Sequence, residues 1–155
     1  MAKKTKRILL ASHGSHGARA AERLALSHCE RGTRLHHLIV VPEFWKGMMG
    51  DDWLNNISTR EVFKDYMEST LEAEVRREIK RLERSAHKRG IRYDFEMAFG
   101  KPADCLLARL KRGGVDLVVL GSLRSKGRAG YRSRMLTDEV LRALKIPLLI
   151  APAPR

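Results

Sequence analysis

The sequence predicts an α/β fold: a single-domain three-layer sandwich over residues 1–155, with a five-stranded parallel sheet covered by helices on both faces. Three observations predict it. Short apolar, β-branched runs alternate along the whole chain with segments of helical period. Several of those runs, Ile8–Ala11 and Leu117–Leu120 among them, are continuously apolar, as strands buried on both faces are. The length of 155 residues, with 43% hydrophobic and 32% charged side chains, suits one core rather than a disordered tail or a fibre.

Each element has its own signal. Arg7–Ser12 is a short apolar run followed by a glycine-containing turn, and Ala18, Ala21, Leu24, Ala25 and His28 then recur at helical spacing. Arg34–Val41 is a second β-branched run, ended by Pro42. Ser58 with Glu61 three residues on marks a capping box. Phe63, Met67, Leu71, Val75, Ile79, Leu82 and Ala86 then trace one apolar helical stripe as far as Gly90. Along this helix the charges interleave from Glu72 to Arg89, Glu72 with Arg76 at the i, i+4 spacing, and read as a solvated face. Arg92–Ala98 alternates polar and apolar like a half-exposed strand at a sheet edge. Pro102 suits a first helical turn, Leu106, Leu107 and Leu110 supply a buried face, and Gly113 and Gly114 end that helix. Val115–Leu120 reads as a fourth strand, about Ser133 to Leu144 as a last helix, and Ile146–Ala151 as a fifth strand. Strict β-α alternation implies right-handed crossovers, and ligands of such sheets sit at the carboxyl ends of the strands, where the strand order switches. Ser12–Gly17, Pro42–Asn56 and Gly121–Arg134 fall there.

No apolar run approaches the roughly 20 residues of a membrane-spanning helix, and the basic start at Lys3–Arg7 is followed by too short an apolar run for a secretion signal. Cys29 and Cys105 are far apart and form no CxxC pair, which fits a reduced cytoplasm. Thirty-one Lys and Arg against eighteen Asp and Glu give a formal charge of +13, enough to attract nucleic acid, acidic proteins or anionic small molecules. Arg124, Lys126, Arg128, Arg132 and Arg134 make one cationic loop without an acid.

Four stretches resemble the universal stress protein family: Arg-Ile-Leu-Leu-Ala-Ser-His-Gly-Ser at 7–15, Phe-Gly-Lys-Pro-Ala-Asp-Cys-Leu-Leu at 99–107, Val-Asp-Leu-Val-Val-Leu-Gly-Ser at 115–122 and Ile-Pro-Leu-Leu-Ile-Ala-Pro at 146–152. The resemblance covers the whole chain, is strongest over 99–152 and weakest over 42–60. It implies strand order 3-2-1-4-5, a homodimer formed through the last strand, and a cytoplasmic protein used under stress. Some members bind ATP and others do not. ATP-binding members carry after the fourth strand a glycine, two residues, a second glycine, nine residues, a third glycine and a Ser or Thr. Here Gly121 and Ser122 keep the first part, but Arg124 and Arg134 replace the second and third glycines and Met135 the hydroxyl residue. Arginine side chains occupy the space that glycine leaves for phosphate to approach the backbone. His13 stands where those members have an Asp near the adenine, and imidazole cannot act as that carboxylate acceptor.

The expected ligand site therefore comprises His13, Gly14, Ser15, Val41, Gly121, Ser122, Arg124 and Arg134, with a nucleotide or inorganic anion as its occupant. Arginine's planar fork matches phosphate, and Ser133 as N-cap would set Arg134 at the start of the last helix. Trp45, Met48, Met49 and Trp53 lie in a glycine- and aspartate-containing segment, bulky groups that suit a lid or a partner contact. His13 and His16 lie at one end of the sheet and His36 and His37 are expected toward the other, a poor geometry for zinc. No GxSxG, paired acidic motif or Walker sequence points to catalysis. The leading expectation is a non-enzymatic stress-response binding or signalling module, without the usual ATP mode. The alternatives are an ATP- or nucleotide-binding member with at most weak hydrolysis, and sequence-independent nucleic-acid binding through the basic surface. The last lacks an aromatic-rich basic stripe or a recognised motif.

Overall fold

The computed structural model describes residues 6–12, 18–41, 73, 75–121 and 135–152, with the backbone alone for Val41 and Phe99. Among these residues the elements run β1 (Arg7–Ser12), α1 (Arg19–Ser27), β2 (Arg34–Val41), α2 (helical over 75–88), β3 (Arg92–Phe99), α3 (Pro102–Lys111), β4 (Leu117–Leu120), α4 (Asp138–Ala143) and β5 (Leu148–Ile150). The strands pair in parallel in the order β3-β2-β1-β4-β5.

The pleat divides the core in two, because successive side chains of a strand point to opposite faces. Ile8, Leu10, Leu35 and Val119 pack with Ala21 and Ala25 of α1 and Leu82 and Ala86 of α2. On the other face Leu9, Ala11, Leu38, Val118 and Leu120 pack with Leu106 of α3 and Val140 of α4. The apolar stripe read along α2 is buried at Val75, Ile79, Leu82 and Ala86. Its earlier members Phe63, Met67 and Leu71, the Ser58–Glu61 capping box and Glu72 of the Glu72–Arg76 pair lie outside the described residues. Pro102 occupies the first turn of α3, and Gly113 follows that helix at φ +71°.

The bounds of β4, β5 and the last helix differ from the expectation, and β3 runs one residue further, to Phe99. β4 begins at Leu117 rather than Val115, because Asp116 sits in a bend where its carboxylate accepts the backbone N–H groups of Lys6 and Arg7 at 3.2 and 3.0 Å. β5 is confined to Leu148–Ile150. The last helix starts at Asp138, not near Ser133: Thr137 is its N-cap, its hydroxyl accepting from Val140 N–H at 3.2 Å, while the preceding Met135 is non-helical and buried.

The reading of 72–89 as a solvated face holds for the exposed Arg76, Arg77, Lys80, Glu83, Arg84, Lys88 and Arg89 and is corrected at Glu78 and Arg81. Glu78 is buried and Arg81 turns toward α1, donating to Glu22, a carboxylate only 1% exposed, and to Glu78 at 2.7 Å. Arg19 adds a third contact, to Glu78 at 3.2 Å. Burial pushes the Glu22 carboxyl above its ordinary range, and Arg81 pulls against that shift. A buried charge persists when it is paired and hydrogen-bonded in this way.

Candidate functional site

The order β3-β2-β1-β4-β5 places a switch between β1 and β4, since the chain leaves β1 toward β2 on one side and reaches β4 on the other. Ala11 is in register with Leu120, so Ser12, the last residue of β1, and Gly121, the first residue after β4, follow that pair side by side. Residues 13–17 and 122–134, which follow these two ends in sequence, lie outside the described residues. Gly121 has no positive φ, and a Cβ built there would meet only Ala21 Cβ, at 4.0 Å. That is an ordinary contact, so packing among the described residues does not require glycine at 121.

Ser12 is the first member of a buried polar chain that crosses three strands. Its Oγ lies 2.7 Å from His37 Nε2, and His37 Nδ1 lies 2.9 Å from the Tyr93 hydroxyl. His37 is 0% exposed, and burial, with His36 beside it, lowers its pKa to about 3. The ring is therefore neutral and carries one N–H, so it donates one of these bonds and accepts the other. Burial also pushes the Tyr93 phenol up, which keeps its proton in place.

This chain is what reading the sequence missed. The sequence places His37 toward the far end of β2, yet its ring, on a residue in register with Leu10, reaches the last residue of β1. The available signal was a histidine inside a β-branched run, a polar group that needs partners wherever such a strand is central. The arrangement resembles a nucleophile–base pair but lacks its chemistry. Taking a proton from Ser12 would make His37 an imidazolium, which burial opposes, and the partner on the other ring nitrogen is a phenol rather than a carboxylate.

His36 points to the other face of the sheet. It is hydrogen-bonded to Asp94, its Nε2 lies 3.5 Å from Glu96, and Glu96 is gripped by both Arg112 terminal nitrogens at 3.2 and 3.0 Å. No group of three His, Cys, Asp or Glu among the described residues could hold a metal ion.

Of the expected ligand residues, Gly121 lies at the switch, and the backbone of Val41 ends β2 on the same side of the sheet. His13, Gly14, Ser15, Ser122, Arg124 and Arg134, and the aromatic and methionine group Trp45, Met48, Met49 and Trp53, lie outside the described residues. Met135, at the position of the family's hydroxyl residue, is 5% exposed and packs in the core beside Leu120 and Val140. The expected N-cap at Ser133, like Arg134, lies outside the described residues; α4 itself begins at Asp138 with Thr137 as its N-cap and carries Asp138 and Glu139 in its first turn.

The sequence profile of the universal stress protein family matches residues 4–152. No curated protein matches the chain by sequence. Among solved structures, a universal stress protein family member from Burkholderia pseudomallei is 21% identical, with 99% of this chain and 100% of that one covered and a TM-score of 0.63. An Arabidopsis thaliana family protein with AMP bound is 15% identical, with coverage of 96% and 92% and a TM-score of 0.60. A universal stress protein in complex with cAMP is 19% identical, with coverage of 98% and 100% and a TM-score of 0.56. These likenesses are of fold.

Proposed function

Because the chain belongs to the universal stress protein family, we propose that it is a stress-response binding module that takes a nucleotide or simple phosphate anion at the β1/β4 switch, in a pose other than the family's usual ATP mode. The observation that carries this reading is the pairing of β1 with β4, which leaves Ser12 and Gly121 side by side at the edge where parallel sheets bind ligands. The glycine at 121 supports it, since neither its φ nor its packing among the described residues demands one. Fold relatives with AMP and cAMP bound add support from outside the chain.

Loss of the ATP pose is supported by Met135. A thioether in the core cannot donate to a phosphate, whereas the hydroxyl of the family motif can. Arg124 and Arg134 stand where small residues would let the backbone approach a triphosphate. A non-enzymatic role is supported by the neutral, buried His37, which is a poor base for Ser12. A reduced cytoplasmic setting accords with Cys29 and Cys105 standing as thiols rather than in a disulfide, and no helix among the described residues is long and apolar enough to cross a membrane.

The test is calorimetry with AMP, cAMP, phosphate and magnesium-ATP on the whole chain and on the Arg124→Gly, Arg134→Gly variant, together with a mass spectrum of what survives purification. Binding of AMP or phosphate that falls in the variant, with ATP binding gained, is the expected result. Tight magnesium-dependent ATP binding by the parent chain overturns the reading, as does failure of every anion to bind either protein.

A further inference from the structure

The other end of the sheet carries an arrangement that the switch-point site does not use. Arg7, Arg34 and Arg92 open three adjacent strands and are in register, Arg7 with Arg34 and Arg34 with Arg92. Register partners in a parallel sheet point to the same face, and neighbouring strands lie about 4.8 Å apart, so the three guanidinium stems form a row roughly 10 Å long. All three residues are exposed. Two turns bring further cations to the same end, joined by a hydrogen bond from Gly32 N–H to the Gly90 carbonyl at 2.9 Å. Arg31 lies along Gly90, with its Cγ only 2.8 Å from where a Cβ would stand, and exposed Arg89 precedes it.

Pairing separates this group from the other surface cations. Arg19, Arg81 and Arg112 each hold a carboxylate. Arg7 holds Asp116. Arg31, Arg34, Arg89 and Arg92 have no ion-pair partner among the described residues. Helix C-termini attract cations, which accounts for Arg89 near the end of α2. That attraction does not account for Arg34 and Arg92, which stand on strands where like charges directly opposite are destabilising. A row that disfavours itself in the free protein gains most from a row of anions.

We infer that this end of the sheet is a docking surface for the phosphodiester backbone of a nucleic-acid duplex, bound without regard to sequence. The arginine fork matches phosphate oxygens. Tyr93 and Phe95 alternate with Arg92 and so face away from the row, which leaves no aromatic platform on its face for stacking single-stranded bases among the described residues. The exposed large apolar side chains Phe95, Leu141 and Ile150 also lie off the row, so among the described residues it presents no large apolar group to enter a bilayer. The surface is opposite the switch point and does not depend on the ligand proposed there.

The experiment is fluorescence anisotropy of a labelled mixed-sequence DNA duplex across a series of salt concentrations, with the parent chain, Arg34→Gln with Arg92→Gln, and a control pair, Arg23→Gln with Lys80→Gln. The control removes the same formal charge from exposed helix positions. Circular dichroism and thermal midpoints establish that all three proteins are folded. The row variant is expected to bind about tenfold more weakly and to lose about two from the log–log salt slope, as two phosphate contacts require, while the control changes far less. Equal weakening in both variants reduces the effect to net charge and overturns the inference. So does absence of duplex binding, or binding to phosphatidylserine vesicles in its place.

Discussion

Ser12 and His37, 25 positions apart in sequence, are joined by a 2.7 Å hydrogen bond between a hydroxyl at the end of β1 and an imidazole buried in β2. The ring spends its second nitrogen on Tyr93 of the edge strand β3. One polar chain thus ties three strands together beneath the switch point. Its stability consequences follow from His37 being neutral in the fold.

The folded-state pKa of His37, about 3, lies below the ordinary 6.5, so between these values the unfolded chain binds the extra proton and the folded one does not. Stability therefore falls as pH drops through that window, by up to about 1.4 kcal/mol per pH unit. Thermal melts over this range should show a steeper acid loss for the parent chain than for His37→Gln. Parallel curves would contradict the assignment.

Tyr93→Phe removes the hydroxyl bonded to His37 Nδ1 and leaves a buried ring nitrogen without that partner. We expect a loss of about 1–3 kcal/mol in urea unfolding, largely absent when the change is made in the His37→Gln background.

Arg81→Gln leaves Glu22 in its buried place without the guanidinium that offsets burial. About 2 kcal/mol should be lost, less than for a fully buried pair because Arg81 is partly exposed. The folded-state pKa of Glu22 is already above its unfolded value and would rise further. The unfolded chain then releases the proton first, so the variant should lose more stability than the parent as pH rises from mildly acidic to neutral.

Gly90 has φ +71°, and a Cβ there would strike Arg31. Gly90→Ala should cost about 1–2 kcal/mol from the backbone alone. Adding Arg31→Ala should recover the contact penalty and not the backbone penalty, as calorimetric melting of the two variants would show.

β5 ends the sheet with Ile150 45% exposed, and Leu141 of the preceding helix is exposed as well. A bare edge of this composition invites pairing with another chain. Sedimentation should find a dimer that Ile150→Glu dissociates; a stable monomer at micromolar concentration would refute the interface.

The strands and most helices were legible because their signals are local. An apolar run flanked by turns, a proline at the start of α3 and a glycine after it each act within a few residues. The edge position of β3 was legible from alternation alone, and the strand order from the family resemblance. The sequence starts α4 too early because Ser133 and Thr137 are both plausible caps; burial of Met135 against one face of the sheet, among residues distant in sequence, decides between them. Along α2 the charge pattern matches a solvated helix, and only its docking against α1 turns Arg81 and Glu78 inward to Glu22.

By itself the sequence determined the α/β class, the family, and the departures at Arg124, Arg134 and Met135 from the glycine motif of ATP-binding members. Tertiary structure decided which distant polar groups meet. Ser12, His37 and Tyr93, like Arg7, Arg34 and Arg92, are brought together by strand register. Register is a property of paired strands: the side-chain period of two records which face a residue takes and carries nothing about which neighbour lies opposite.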